Sequence, residues 1–482
     1  MALFKLRDDQ IASLAFAISN PKGMNLSDPG TGKTPPTCVN QWRRVEEGVG
    51  RTIWVQPKSL MPKNVIEITR FTPWSKKDVA IIDGTPAQVD RAMRANPQVM
   101  LMGPDRFKLM MQAGQIPPDV KSLDVDEFHM CFGGAGSGPQ GKPSKRTEAF
   151  YQFMERATDS IFMTGTLVNG RLDTAFPAIH AVEPRYYPFG YEQFLGAHAY
   201  LDDYGRPYAW HDHEKLREIL GRHAIRFTFE SVFGKQEVVK EVQWLALNDT
   251  QKSIYRDFER DAMYELEKFM IDGTLPGVAT TRARQIMEHP NDFPDLRDPE
   301  NLPRVDITPG ERPAKLDALE IHFEDHKRLG TPVIVFAAYK PQMRQISELA
   351  CSMGLRSEVM NGDTKAADKD RIDRSFVAGG IDALVASPPV ASVGFNWQDW
   401  ASLETDHVIF ASLTYKDSDF IQGYRRTIRR KRVKPLRVTT LGYLDSLDNR
   451  LMSILERKSR DANLVDPTQE LLRFNNHEEI AN

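Results

Sequence analysis

The chain has 482 residues, of which 41% are hydrophobic and 27% charged, and a formal net charge of -3. That length exceeds one ordinary domain and supplies two sizeable cores, while the near-neutral balance excludes a protein that coats nucleic acid through overall charge. Three scattered cysteines (Cys38, Cys131 and Cys351) form no CxxC pair and no disulfide framework, and no apolar run is long enough to span a bilayer.

A reducing, intracellular setting is therefore expected, and Met1 to Asp9 carries acidic residues instead of a signal-peptide plan. From the N-terminus to about Gly234, short apolar runs alternate with amphipathic stretches. Strands are predicted at Arg51–Gln56, Val79–Ile82, Val99–Met102, Leu123–Val125 and Ser160–Met163, with helices such as Ala87–Ala95 and Thr147–Arg156 between them. Strands alternating with helices predict an open parallel α/β sheet. Gly133–Lys145 is rich in Gly, Pro and Ser and reads as a loop, its lysines serving equally as phosphate contacts or as a solvated surface. Pro184–His213, with Tyr186, Tyr187, Tyr191 and Tyr200, has no assignment from sequence.

Asn248–Met270 has helical spacing, and Asn291–Pro313, crowded with Pro and Asp, reads as a connection. A second α/β pattern follows. Its strands are predicted at Pro332–Ala337, Ser357–Met360, Ala383–Ala386 and His407–Phe410, and its helices at Lys340–Met353 and Ala366–Val377. The expected organisation is a first lobe over 1–234, connecting helices and linker over 235–313, a second lobe over 314–460 and a polar, peripheral tail over 461–482.

Three segments carry chemistry. Ser27-Asp28-Pro29-Gly30-Thr31-Gly32-Lys33-Thr34 places two glycines where a backbone can wrap a phosphate without a Cβ in the way. Lys33 would reach the β/γ-phosphates and Thr34 would bind magnesium, although Ser27 stands where the full phosphate-loop pattern has Gly. Leu123-Asp124-Val125-Asp126-Glu127-Phe128-His129 runs an apolar strand into adjacent acids about 90 residues later. Asp126 would hold the magnesium and Glu127 would polarise the attacking water. Gln422-Gly423-Tyr424-Arg425-Arg426-Thr427-Ile428-Arg429 sets Arg426 and Arg429 three apart, on one face if the segment is helical, where they would meet a γ-phosphate.

In order, these segments resemble helicase superfamily 2, and within it the Swi/Snf-like ATPases of compact phage or bacterial type. Leu6-Arg7-Asp8-Asp9-Gln10 resembles the Q-type motif, with Gln10 as adenine reader. Ser27–Thr34 resembles motif I, and Val55-Gln56-Pro57-Lys58-Ser59-Leu60 motif Ia. Asp126–His129 resembles motif II, and Thr164-Gly165-Thr166 with Asn169 resembles motif III. Val333–Ala337 resembles motif IV, Gly394-Phe395-Asn396-Trp397-Gln398 motif V, and Gln422, Arg426 and Arg429 motif VI. The chain departs from the pattern at Arg425, usually Gly, at Leu167, usually Pro, and at Phe128, usually Ala.

The resemblance implies two tandem RecA-like parallel-sheet lobes, with the ATP site in the cleft between them. Gln10, Gly30, Thr31, Gly32, Lys33 and Thr34 would bind ATP, Thr34 and Asp126 magnesium, and Lys33, Asp126, Glu127, Gln422, Arg426 and Arg429 would carry hydrolysis. Lys58, Ser59, Thr164, Thr166, Gly394 and Asn396 would contact a nucleic-acid backbone. The expected partner is duplex DNA without sequence preference, RNA staying open, and the expected form is a cytoplasmic monomer. The basic run Arg430, Lys431, Arg432, Lys434 and Arg437 reads as a backbone contact or equally as a solvated or lobe-facing surface. Trp397 is placed near the bound strand or in the core with even weight, and His129 either couples the ATP site to motif III or is structural. A strand-separating helicase, a ring-forming ATPase and a catalytically silent adaptor are the competing readings.

Overall fold

The computed structural model describes residues 5–133, 142–168, 172–203, 205, 207–272, 277–294, 303–391 and 395–474. It divides into two units. The first comprises Met1–Tyr200, Trp210–Lys235 and Asp461–Gln469, and the second Leu201–Ala209, Gln236–Arg460 and Glu470–Asn482.

The first unit is built on seven strands: β1 (Lys22–Asn25), β2 (Arg51–Val55), β3 (Val79–Ile81), β4 (Val99–Met102), β5 (Val120–Asp126), β6 (Ser160–Met163) and β7 (Ala224–Ile225). They pair in the order β3-β4-β2-β5-β6-β1-β7, all parallel. Because side chains alternate across a strand, the sheet carries two cores. Ile53, Val55, Met100, Met102, Leu123 and Val125 fill one face, and Trp54, Val99, Leu101, Ile161 and Met163 the other. A parallel sheet buried on both faces needs such near-continuous apolar strands. All five strands predicted for this lobe are present. The strands β1 and β7 escaped prediction because they are short and flanked by polar residues, Lys22 and Asn25 in one case and Arg226 in the other.

The main sheet of the second unit has, among the described residues, six strands: β8 (Val238–Leu245), β9 (Val333–Phe336), β10 (Ser357–Met360), β11 (Ala383–Ala386), β12 (His407–Phe410) and β13 (Leu436–Tyr443). Their order is β8-β13-β12-β9-β11-β10, again all parallel. The edge strand β8 lies within 235–313, expected as connection, and pairs with β13 along its whole length. Its polar residues Lys240, Glu241 and Gln243 hide the strand pattern, as an incompletely covered edge allows. The long segment Gln236–Arg460 belongs to the second unit, so residues 236–313 are part of it.

One segment left unassigned from sequence is placed by the structure, and one expectation is corrected. Pro184–His213 folds into an aromatic cluster in which Phe194 lies 5.2 Å from both Phe176 and Tyr187, and the Tyr187 hydroxyl lies 2.6 Å from His198 Nε2. The tail is part of the packed structure: Ala462 and Val465 join the first unit's core, and Leu472 and Phe474 are buried. Among the described residues no helix is long and apolar enough to cross a membrane.

Candidate nucleotide and nucleic-acid site

In a parallel α/β sheet the loops leaving the carboxyl ends of the strands form the ligand-binding edge. Three of the predicted segments leave neighbouring strands there in register, since Asn25 of β1 pairs with Met163 of β6 and Met163 with Asp126 of β5. Strand spacing alone therefore brings the phosphate loop, the acidic pair and the Thr-Gly-Thr segment side by side.

The phosphate loop follows β1 and precedes helix α1 (Thr34–Glu46). Gly30 and Gly32 adopt φ of 88° and 84°, conformations open to glycine. The loop is tied internally and to its surroundings. The Thr31 hydroxyl donates to the Asp28 carbonyl at 2.7 Å, Asp28 accepts from Arg226 at 3.0 Å, and the Phe227 amide donates to the Ser27 hydroxyl at 3.0 Å. Ser27, which replaces the usual first glycine, is thus a structural tether. Gln10 donates through Nε2 to the Gly32 carbonyl at 3.1 Å and accepts from the Arg7 amide at 3.1 Å, while Arg7 donates to the Thr31 carbonyl. A Cβ at Gly32 would stand 2.8 Å from Gln10 Nε2, so the Gln10 contact requires glycine there.

Lys33 Nζ donates to the Ser27 carbonyl at 2.6 Å and the Asp28 carbonyl at 3.3 Å. Burial lowers its pKa, against the opposing pull of Glu127, Asp126 and Asp28. At the end of β5, burial and then the Glu127 charge push Asp126 up to about 6, with Lys33 pulling the other way. Glu127 has φ 49° and ψ 55°, a left-handed conformation that costs a side-chain-bearing residue free energy. Such strain persists where surrounding structure enforces it, here at the carboxylate predicted to activate water. Phe128, an outlier from the family pattern, is fully buried against Phe150 and Phe162 at 5.4 and 5.2 Å.

His129 is the hub of this edge. Its Nδ1 lies 2.8 Å from the Thr164 hydroxyl and 3.6 Å from Glu127 Oε2, and Thr164 also accepts from the Thr166 amide at 3.1 Å. Thr164 and Thr166 are buried, so both predicted backbone contacts stand in a relay with His129. A Cβ on Gly165 would lie 2.6 Å from Pro29 Cδ, which is how closely the Thr-Gly-Thr segment packs on the phosphate loop. Lys58 and Ser59 are exposed beyond β2, and Lys58 pairs with Asp83 at 2.9 Å. Asn169 lies outside the described residues.

A buried ion cluster beneath this edge had no sequence signature beyond its charges. Arg44 on α1 and Asp124 on β5, both without solvent exposure, pair at 2.8 Å, and Arg44 also meets Asp159 at 2.6 Å. Gln41 donates to Asp124 at 2.8 Å. The helix that starts at the phosphate loop is thereby locked to the strand that ends at Asp126.

In the second unit the helix Asp417–Tyr424 stops before the arginines. A 3-10 turn spans Arg425–Thr427 and Ile428 is extended, so Arg426 and Arg429 do not share a helix face as the spacing suggested. The reason lies in the neighbouring segment: the Trp397 amide takes the Arg426 carbonyl at 2.9 Å, and buried Gln398 accepts from the Arg429 and Arg430 amides at 2.7 and 2.9 Å. Arg429 itself donates to the Phe395 carbonyl at 2.7 Å. Motifs V and VI are thus zipped together. Arg426 and Gln422 are buried, and the Gln422 amide nitrogen has no hydrogen-bond partner among the described residues. Asn396 is exposed, and Gly394 lies outside the described residues. Trp397 is core: it is fully buried and donates to Asp373 at 2.9 Å.

The basic run divides by direction. Arg432 is buried and donates to the Thr427, Thr405 and Lys434 carbonyls. Arg430 pairs with Asp399, and Lys431 is exposed.

Two tandem parallel-sheet units, with a glycine loop, an acidic pair and a relay on one sheet edge, define the RecA-like architecture. Residues 313–431 match the model of the helicase conserved C-terminal domain, and no curated protein matches the sequence. Among solved structures the fold is similar to the Pyrococcus furiosus Hef helicase domain, at 15% identity and a TM-score of 0.53 over 93% of this chain and 99% of that one. The Sulfolobus solfataricus SWI2/SNF2 ATPase core in complex with double-stranded DNA matches at 16% identity and a TM-score of 0.42 over 98% of each chain. Residues 313–431 therefore carry a helicase conserved C-terminal domain, and the fold of the chain is similar to that of a helicase domain.

Proposed function

We propose that this chain is an ATP-dependent motor of the Swi/Snf-like kind that moves along duplex DNA without reading its sequence. The observation that carries the reading is the shared sheet edge where Lys33, Asp126, Glu127 and the His129–Thr164 bond lie at or just beyond the ends of adjacent strands. The residues fit a magnesium nucleotide. The positive-φ glycines Gly30 and Gly32 leave backbone amides free of Cβ atoms, and a buried donor on Gln422 suits a phosphate oxygen. One carboxylate and one hydroxyl, Asp126 and Thr34, suit a magnesium that keeps waters and phosphates as its other ligands.

Bound ATP with magnesium would supply the phosphoanhydride bond that is broken. Gln10, Gly30, Thr31, Gly32, Lys33 and Thr34 would hold the nucleotide, and Thr34 and Asp126 the metal. The Glu127 carboxylate would orient a water and accept its proton, with the strained backbone fixing its direction. Arg426 and Arg429 would neutralise charge developing on the phosphoryl oxygens. Lys58, Ser59 and Asn396 are exposed and suit backbone phosphates, whereas Thr164 and Thr166 are better placed to report binding to Glu127 through His129. The absence of base-reading residues among these contacts supports weak sequence preference.

The test is steady-state ATP hydrolysis with no nucleic acid, duplex DNA, single-stranded DNA and RNA, beside Glu127→Gln. Stimulation by duplex DNA that Glu127→Gln abolishes is the expected result. Preference for single strands or RNA would replace the translocase by a strand-separating helicase, and no hydrolysis above the variant would leave an adaptor.

A further inference from the structure

The C-terminal segment after Gln469 docks beside motif VI in the second unit. Glu470 is largely buried there with three partners from two separate parts of the chain. Lys240 of β8 meets one carboxylate oxygen. The Tyr424 hydroxyl donates to the other, which also takes Arg425 at 3.1 Å. Lys240 further stands over the Tyr424 ring, 5.0 Å from its centroid. The segment holds itself in place independently of Glu470. Buried Leu472 donates its amide to the Ser459 hydroxyl at 3.0 Å, and the Phe474 ring packs 5.4 Å from Phe420 on the motif VI helix.

Tyr424 and Arg425 are the two residues immediately before Arg426. Arg425 stands where the family pattern has glycine, and a guanidinium in a largely buried position needs an anion to offset its desolvation. Glu470 is that anion, so the departure at Arg425 and the docked tail are parts of one device. With Glu470 removed, Lys240 and Arg425 would face each other without the charge that joins them. The 3-10 turn Arg425–Thr427, which sets where Arg426 points, would lose its anchor on this side.

We propose that Glu470 is a positioning residue for Arg426, and that residues 470–474 form a strap whose docking on motif VI sets the rate of hydrolysis. The catalytic part rests on the reading of Arg426 given above; the positioning part does not. Because the strap touches the second unit, its undocking would slow the motor while leaving nucleotide binding on the first unit unaltered.

The test uses the full chain with Glu470→Ala, Glu470→Gln, Arg425→Gly and the double variant Glu470→Ala/Arg425→Gly. Amide hydrogen exchange, read without nucleotide, is expected to quicken about tenfold or more over 424–430 in Glu470→Ala and to stay unchanged in β1 to β6. In hydrolysis assays at saturating duplex DNA, kcat should fall about tenfold with KM for ATP within about twofold, since the strap acts on the arginine and not on the phosphate loop. The double variant should recover most of the loss, because the charge that required an anion is gone. Glu470→Gln, which keeps the shape, should fall between and guards against a folding defect in the alanine variant. Unchanged exchange over 424–430 would overturn the positioning role, and unchanged kcat or an unrescued double variant would overturn the rate control. A wild-type chain without hydrolysis would overturn the motor reading and the rate control together, while exchange would still decide the positioning.

Discussion

His129 Nδ1 and the Thr164 hydroxyl, on loops that follow adjacent strands, lie 2.8 Å apart. The same ring stands 3.6 Å from the Glu127 carboxylate. One hydrogen bond and one close charge contact, both through His129, therefore connect the residue proposed to activate water with the segment at the end of β6. Removing the hydroxyl while keeping the shape, as in Thr164→Val, should leave nucleotide affinity within about twofold and cut DNA-stimulated hydrolysis about tenfold. His129→Ala should give a loss of the same size, and the double variant no greater loss, because both act through one bond. Steady-state kinetics with nucleotide binding measured separately would check this. A fully additive double variant would break the relay.

The Arg44–Asp124–Asp159 cluster makes a different demand. Arg44 and Asp124 have no solvent exposure, so removing one partner strands a buried charge. Arg44→Met should lower the first unit's stability by about 3–5 kcal/mol. The triple replacement Arg44→Met/Asp124→Leu/Asp159→Leu should recover much of that, because no uncompensated charge remains. Denaturant melts of the three proteins would measure the difference, with intrinsic fluorescence following each transition.

The legibility of this molecule follows burial. The central strands could be read because both faces of a parallel sheet are covered and the sequence is forced to be apolar, as in Val333–Phe336 and Ala383–Ala386. The edge strand β8 could not, because partial cover admits Lys240 and Glu241, and β1 could not, because it is only four residues long and begins with Lys22. Motif order pointed to Lys33, Asp126 and Glu127, and the sheet register then brought their loops together. Arg44 and Glu470 were invisible because a buried charge has the same letter as a solvated one; only its partners, 80 residues away for Asp124 and 45 for Arg425, reveal it. Trp397 and Arg432 were open for the same reason, and both turn inward.

That inward turn separates two neighbours in the basic run. Arg432 spends its guanidinium on three backbone carbonyls, while Lys431 faces solvent. Lys431→Ala should leave thermal stability unchanged and weaken duplex binding, reducing the slope of log affinity against log salt by up to about one. Arg432→Ala should destabilise the second unit by about 1–3 kcal/mol per unmet carbonyl contact at most, because buried acceptors lose their donor. Salt titrations of DNA binding together with melts would separate the two effects, and equal behaviour of the two variants would refute the division.

The last prediction concerns pH. His326 and His407 are buried beneath β12 and β13, and their protons can be placed from their partners. Arg437 donates to His407 Nδ1 at 3.0 Å, so that atom is an acceptor. His326 Nε2 then donates to it at 2.9 Å. His407 Nε2 donates to the Thr439 hydroxyl at 2.9 Å, and Thr439 donates to Glu241 at 2.6 Å. His326 Nδ1 accepts from the Thr331 hydroxyl at 2.9 Å. Each ring is neutral, and a second proton on His407 Nδ1 would meet the Arg437 and His326 donors. Burial, followed by the Arg437 charge, lowers His326 to about 4, with His322 acting in the same direction and Asp325 in the other. Burial, His326, Arg437 and His322 hold His407 well below its ordinary value. The unfolded chain takes up these protons near pH 6.5 and the folded one does not, so folding stability is complete above about pH 6.5 and is lost as pH falls toward 4. For His326 the loss is on the order of 3 kcal/mol. Denaturant melts between pH 7.5 and pH 4.5, compared with His326→Gln, should show a shallower pH dependence in the variant. Parallel curves would mean that His326 takes up its proton alike in the folded and the unfolded chain, and would refute the assignment.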